Sequence, residues 1–542
     1  MPIGAATLAQ AADTRARACA RVSCIFERAR TSALRLAALG LALATCVTGA
    51  AGARPAAHPR HRARRTVTSV LAALVHSRAI DQRAYDGYEA TYAHASRALH
   101  KLAGTRRSEL AAVIANLEAM ARSGELTASR LPVAFATLER NLEWWTAKPL
   151  LASGQRVAFD GSRLIWEHYA GQGIEIQWLA TFGEANSYWF AHETAALEQV
   201  LDEAIALASQ RAGGIAWEYM FVFDGGSPPW TSGLSQGTAL QALARAWSAT
   251  GEDRYLSAAK QALGIFRAGP PEGVRAAAAN AGAWYLQYTY APSEHVLNGF
   301  IQSLVGLYDY AKLTGDPVGQ QLFEAGDARA REQVPSFDTG AWSKYDQSSE
   351  SDLGYHALLT EFLEHLCERT RQGEPLSGSS SATGGSAAGG EAGQIAGDEI
   401  YCTTASSFRT DLKTPPALQL LTSTVNARER AGVQMRLSKV STVAMTITLG
   451  GKTVWTNRAT VEGGTPRLLW VTPSKAGVYR VSLRARDLAG NEETAGGSVR
   501  VKALPKPSRK RYGHGRRGAS ARAATAQRSA PISPRARRLP AL

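Results

Sequence analysis

The sequence predicts a mainly α-helical chain, with an α/α toroid at its centre and a small all-β sandwich towards its C-terminal end. Three observations carry this. Apolar residues recur at three-and-four spacing up to about residue 370, two stretches repeat one helix-turn-helix pattern, and the period changes to two after residue 414. At 542 residues with 45% apolar content, the chain can bury more than one core.

Residues 71–148 are expected to be helical throughout. "DQRAYDGYEATYAHASRALHKLAG" and "RRSELAAVIANLEAMARSGEL" carry their apolar residues at helical spacing, with Gly104 and Gly124 as the expected stops. Residues 149–370 alternate helices with aromatic-rich loops. Here "QALARAWSATGEDRYLSAAKQAL" from Gln241 is similar to "QSLVGLYDYAKLTGDPVGQQLFEAG" from Gln302: each is a helix ending near Thr-Gly, an acidic turn and a second helix. Recurring hairpins bury faces that none could bury alone, hence the toroid. Residues 371–398 are Gly/Ser-rich and read as a flexible linker. Within 399–503, "STVAMTITLGGKTVWTN" alternates about a Gly450-Gly451 hairpin and "AGVYRVSLRARDLAGN" adds a strand and a turn, which fits a small sandwich.

The formal charge of +15 belongs to the ends. Residues 1–65 hold 11 Lys and Arg against 2 acidic residues, and residues 502–542 hold 12 against none; of the totals of 61 and 46, this leaves 38 basic and 44 acidic residues between them. The basic ends, 54–70 and 504–542, are rich in Ala, Pro, Gly and Ser without interleaved aromatics, which argues against nucleic acid and for disordered segments able to meet an anionic cell envelope. Residues 1–53 read as a signal peptide: arginines, an apolar stretch from Leu36 to Ala50, then Ala51-Gly52-Ala53. A secreted or envelope-associated protein is expected, with a single membrane anchor as the alternative. Cys19, Cys24 and Cys46 fall in that segment. Cys367 and Cys402 flank the linker, where a disulfide and two free thiols are equally compatible with the count; neither suggests zinc.

Candidate chemistry gathers in "AWYLQYTYAPSEHVLNGFIQSLVGLYDY" and "FDTGAWSKYDQSSESDLGYHALLTEFLEHL". Pro292-Ser293 is the expected helix entry, and Tyr308 falls on the apolar face with Leu297, Ile301 and Leu304, so it belongs to the core. Tyr288 and Tyr290 lie outside that face. Tyr345 falls in a polar loop, and Tyr355 opens the next helix. In a toroid, equivalent helix starts collect at one end, so Tyr288, Tyr345 and Tyr355 are expected around one cleft.

"PSEHVLNGFIQSLVGLYDY", "SFDTGAWSKYD", "GYH" and the upstream "WTSGLSQGTALQALARAW" resemble the C-terminal catalytic domain of the D-glucuronyl C5-epimerases over roughly residues 210–370. The resemblance implies conversion of glucuronate to iduronate in heparan-type chains, with Tyr288, Tyr345 and Tyr355 as the functional tyrosines: Tyr288 and Tyr355 as opposed acid and base, and Tyr345 orienting substrate. Gln287 stands where the family has an acidic residue, and the segment between Tyr345 and Tyr355 lacks an arginine. Lys344, His295 and His356 are candidates for cationic help, and Trp230, Gln236 and Asn298 for sugar contact; packing or capping explains each of these residues as well, and Asp338 reads as a turn residue. Arg245 points to the opposite helix face. Because related enzymes dimerise, a homodimer is implied. No cofactor is expected, and a structural calcium is left open. "YRVSLRARDLAGN" looks like bacterial immunoglobulin-like modules, for which spacing or adhesion is the expected role. A polysaccharide lyase, a non-catalytic glycan-binding protein, and a glycoside hydrolase using Glu218 and Asp224 are the other readings.

Overall fold

The computed structural model describes residues 65–277, 282–371 and 391–503. The expected signal peptide, the basic segment up to residue 64, most of the linker and the tail from 504 lie outside them.

The first helices, α1 (Val67–His76), α2 (Gln82–Lys101), α3 (Gly104–Ser123) and α4 (Leu131–Ala147), pack as a helical layer. Gly124 ends α3 in the left-handed region, as a C-cap glycine does, whereas Gly104 opens α3 instead of only stopping α2. The layer is tied to the sheet β1 (Arg156–Val157), β2 (Trp166–Tyr169), β3 (Gly173–Ile176) by two buried side chains. The Glu109 carboxylate accepts from the amides of Gly171 and Gly173 (each 2.9 Å), and Asn141 bonds both backbone groups of Ile174.

The helices α5 (Trp178–Phe190) and α6 (Thr194–Ala206) lead through β4 (Ser209–Arg211) and β5 (Gly214–Ala216) to the first repeated hairpin, α7 (Gly233–Thr250) and α8 (Asp253–Ala262). Beyond β6 (Arg275–Ala277) and β7 (Ala283–Tyr285) comes the second, α9 (Leu297–Thr314) and α10 (Pro317–Gln333), then α11 (Leu353–Arg371). The two hairpins share their punctuation: Gly251 and Gly315 both end the first helix at positive φ. Helices α7 and α9 meet at glycines, since a Cβ on Gly306 would overlap the carbonyl of Gly237. The α9 entry is corrected from Pro292 to Leu297, because Val296 is still extended and the His295 amide is held by Gln347 Oε1 (3.0 Å).

A helix, α12 (Glu391–Asp411), stands where strands were expected from 399. Tyr401, Ala405 and Phe408 recur on one face and are buried in the helical core, a signal masked by the low-complexity composition before it. Cys367 and Cys402 form a disulfide that ties α12 to α11 across 35 positions, worth about 3 to 4 kcal/mol by loop closure.

The strands then form two sheets around a separate core containing Trp470, Met445 and Val481: one of β13 (Arg467–Val471), β10 (Arg430–Leu437) and β8 (Leu418–Leu420), the other of β12 (Lys452–Val461), β11 (Ser441–Leu449), β14 (Gly477–Asp487), β15 (Glu492–Lys502) and β9 (Thr424–Asn426). Among the described residues, no helix is long and apolar enough to cross a membrane.

Candidate active site

Helices α7, α9 and α11 begin at one end of the helical region, and the segment after β7 runs across them. It is anchored by backbone: the Gly233 amide donates to Leu286 O (3.1 Å) and the Thr289 amide to Thr231 O (3.1 Å). That places Tyr288, which is buried, beside the α9 start, where Gly299 lets Gln287 close in; a Cβ there would sit 2.8 Å from Gln287 Oε1. The loop 338–352 folds back onto the same place. Its Tyr345 carbonyl accepts from the Leu297 amide (3.2 Å), and the Tyr345 and Tyr355 rings lie 4.5 Å apart. Tyr290 stacks on Tyr288 at 5.2 Å, over Gly226, where any side chain would strike its ring. The aromatic wall behind is Trp230, edge-on to both Tyr288 (5.9 Å) and Tyr290 (5.3 Å).

Polar groups at this point are incompletely satisfied. Gln287 Nε2 donates to Tyr288 Oη (2.7 Å) and Asn298 Nδ2 to Tyr355 O (3.1 Å), but Gln287 Oε1, Asn298 Oδ1, Tyr290 Oη, Tyr345 Oη, Gln236 Oε1 and Ser232 Oγ have no hydrogen-bond partner in the protein. Buried polar atoms are almost always bonded, so this many at one place marks a surface built for a polar ligand.

The field there is negative. Burial, first, and then the carboxylates of Glu294 and Asp224 push the Tyr288 and Tyr290 hydroxyls above the usual phenol range. Burial and neighbouring phenols do the same to Tyr345, and burial, Tyr288 and Asp352 to Tyr355, with Glu294 adding to both. Glu294 itself is pushed up to about 7, by burial and then by Asp224 and Asp346. A carboxyl that changes charge near neutral pH, among phenols that stay protonated, is a base beside a set of acids.

Other expected residues do different work. Lys344 Nζ donates to Ser336 O (3.1 Å), and His295 stacks on Trp284 (4.8 Å) with burial, then Arg329, lowering its pKa. Trp230 spends its Nε1–H on Phe221 O (2.8 Å), and Gln236 Nε2 holds Trp217 O (3.0 Å). Both build the wall. His356 is fully buried, stacked on Trp342 at 3.7 Å, and bonded through Nδ1 to Ser343 and through Nε2 to Phe408 O (2.9 Å). Burial lowers its pKa to about 4, so it stays neutral while an unfolded histidine protonates near 6.5. Unfolding therefore takes up a proton between those values: stability falls as pH drops from about 6.5 towards 4, by up to about 3 kcal/mol. His356→Gln is expected to flatten that part of the stability profile, read as the unfolding midpoint at pH 7 and pH 4.5. Asp338 caps a turn at the Gly340 amide (2.7 Å), and Glu218 is consumed by Arg130 and Arg211. Tyr308 is half-buried, with its hydroxyl on Arg369 O (3.0 Å).

Residues 212–376, which include all of these tyrosines, match the family described as D-glucuronyl C5-epimerase C-terminus. They are the C-terminal domain of that family. Within this epimerase-family domain lies similarity to the D-glucuronyl C5-epimerase of Caenorhabditis elegans, 32% identical over 131 residues, 22% of this chain and 21% of that one. An uncharacterized protein of Methanocaldococcus jannaschii is 31% identical over 138 residues, 24% of this chain and 45% of its own. The chain thus spans less than half the length of these curated relatives. Among solved structures, an α-mannanase of Bacteroides thetaiotaomicron has a TM-score of 0.32 at 12% identity, covering 47% of this chain and 66% of its own; an unsaturated glucuronyl hydrolase specific for heparin has 0.29 at 13%, covering 44% and 60%.

Sequence reasoning set Tyr290 outside the helix face without giving it a role, named Asp224 only as half of a hydrolase pair, and missed Glu294 and Asp346 at this candidate site. Tyr290 and Glu294 both stand in the quoted motif, two positions after Tyr288 and one before His295; their roles depend on a loop path that spacing does not disclose. No group of three or more His, Cys, Asp or Glu among the described residues is arranged to hold a metal. A cavity of about 760 Å³, lined by Arg245, Asp309, Arg369, Trp189 and Tyr308, includes none of Tyr288, Tyr290, Tyr345 and Tyr355 in its lining, and its arginines are paired with Asp309.

Proposed function

We propose that the chain is a uronosyl C5-epimerase converting D-glucuronate to L-iduronate residues in a heparosan-like polysaccharide. The observation that carries this reading is the meeting of Tyr288, Tyr290, Tyr345 and Tyr355 with Glu294 at three helix starts, inside the matched segment. C5 of a hexuronate lies α to its carboxylate, so inversion requires one group to take the C5 proton and another to supply one from the opposite face. A phenolate at neutral pH costs about 4 kcal/mol even when exposed, and here burial and carboxylates add to that. We therefore assign proton removal from glucuronate to Glu294 and donation on the other face to a phenol, in place of two opposed tyrosines. Tyr288 is the favoured donor, since Gln287 Nε2 bonds to its oxygen and stabilises the anion it leaves. The unpartnered hydroxyls of Tyr290 and Tyr345 are the donors available to the developing enolate. Tyr345, next to Tyr288, supplies a route by which the proton on Glu294 returns to the phenolate after turnover.

The same reading takes the helical region as an α/α toroid, the two-sheet region as an immunoglobulin-like module, and the protein as exported, with glucuronate polymer as its partner. The test is incubation with heparosan and other glucuronate polymers in D₂O, followed by NMR at C5, for the protein and for Tyr288→Phe. Deuterium entry together with iduronate is the expected result, with the iduronate lost in the variant. Unsaturated ends absorbing in the ultraviolet would make the protein a lyase instead, and no exchange on any polymer would leave a glycan-binding protein.

A further inference from the structure

We propose that the C-terminal all-β module and α12 form the outer wall of the active site, acting as a positioning buttress for the loop 338–352 that carries Tyr345 and leads into Tyr355; this rests on the function proposed above. The loop is tied on its inner side to the α9 start, where Tyr345 O accepts from the Leu297 amide, Gln347 Oε1 accepts from the His295 amide and Gln347 Nε2 donates to Ser293 O. It is pinned internally by turns, such as the Tyr345 amide on Ser349 O (2.9 Å) and Asp346 Oδ1 on the amides of Ser348 (2.7 Å) and Ser349 (2.8 Å). Its outer side is held from the module. Glu350 Oε2 accepts from the amides of Val440 (2.8 Å) and Gly463 (3.2 Å), so one loop carboxylate closes two backbone donors on the edge of the module. Gly463 is bare where this happens: a Cβ there would stand 2.8 Å from Glu350 Oε1 and 3.1 Å from Ser438 O.

A second tie is Lys439, which is 1% exposed. Its Nζ donates to Asp411 O (2.7 Å) and Thr414 O (2.5 Å), pairs with Asp487 (2.8 Å) and lies 5.1 Å over the ring of Trp342. It therefore joins the end of α12, the module and the loop at one buried point. Trp342 passes the constraint inward: its Nε1 donates to Ser351 O (2.8 Å), and its ring covers His356, the residue after Tyr355. His356 is gripped from the far side by Phe408 of α12. Module, helix and loop thus share one set of bonds, and no freely swinging spacer would bury a lysine against the loop it is meant to be independent of. A buried charge with all its partners supplied is costly to break and holds one arrangement, which is what an acid and a base placed on opposite faces of a sugar require.

The full-length chain and its variants Glu350→Ala, Glu350→Gln and Gly463→Ala are to be compared, with Arg484→Ala on the exposed side of the module as the control. Two readouts are taken: amide hydrogen exchange of residues 338–352, and kcat and KM for C5 exchange on heparosan. Glu350→Ala and Gly463→Ala are expected to speed amide exchange in the loop tenfold or more and to lower kcat tenfold or more with KM within twofold. Glu350→Gln, which keeps an acceptor oxygen, is expected to recover most of both, and Arg484→Ala to match the unaltered protein. Loop exchange and kcat unchanged in both Glu350→Ala and Gly463→Ala would overturn the proposal, and so would a Gln variant no better than Ala. Exchange that rises throughout the module as well as the loop would signal unfolding of the module and also count against it, unless the Gln variant restores the loop. If the unaltered protein turns over no polymer but the loop still loosens in Glu350→Ala, the epimerase reading fails while the buttress stands.

Discussion

Glu294→Gln is expected to lower kcat for C5 exchange on heparosan by about 10²- to 10⁴-fold, the range for loss of a positioned general base. Glutamine keeps the size and the hydrogen-bonding reach of the side chain but cannot take a proton, so KM should move little. The pH profile is the sharper readout. Glu294 is held up to about 7 by burial and by Asp224 and Asp346, while Tyr288, Tyr290, Tyr345 and Tyr355 are all pushed above the usual phenol range. In the glucuronate-to-iduronate direction the base must be ionised and the donor protonated. Activity should therefore rise with one limb centred near pH 7 and hold level well past pH 9. Asp224→Asn removes one of the two charges that raise Glu294 and should shift that limb to lower pH. A Glu294→Gln variant with unaltered kcat would return the base to a second tyrosine; an unaltered profile in Asp224→Asn would mean that the limb belongs to another group.

Glu218→Ala is expected to cost about 3 to 5 kcal/mol of stability, the penalty for leaving buried charges without their partner. The Glu218 side chain is fully buried and receives Arg130 through Nε (2.7 Å) and Nη2 (3.0 Å), and Arg211 through Nη1. Those arginines come from the segment before α4 and from β4, so one carboxylate locks the N-terminal helices to the strand pair preceding the site. Denaturant midpoints of the alanine and glutamine variants would measure the effect, with glutamine the milder because it retains an acceptor. The kcat of the folded fraction should stay near that of the unaltered protein. A collapse of kcat with no loss of stability would instead give Glu218 the chemical role that a glycosidase pair requires.

How much was legible in the sequence varies with the range of the interaction involved. The repeated hairpins were legible because Thr-Gly ends and acidic turns are local signals, and the structure ends α7 and α9 at Gly251 and Gly315. The period change was legible for the same reason: β11 and β12 meet at Gly450-Gly451. Helix α12 was not, because its periodic face follows a Gly/Ser tract whose composition reads as linker, and what holds it is the distant core of α10 and α11. The α9 start was read too early, since a helix entry signal at Pro292 competes with a loop that spends the His295 amide on Gln347.

The sequence by itself determined the classes of element, the repeat, and which tyrosines stand outside the apolar faces, because helix periodicity and turn chemistry act over three or four residues. The tertiary structure alone decided where those tyrosines meet and what surrounds them. Lys344 turns to Ser336, His356 is sealed between Trp342 and Phe408, and Glu294 gathers charge from Asp224 and Asp346, residues 70 and 52 positions away. Burial and the charges of distant residues raise Glu294 and the four tyrosines around it, and both exist only once the chain has folded.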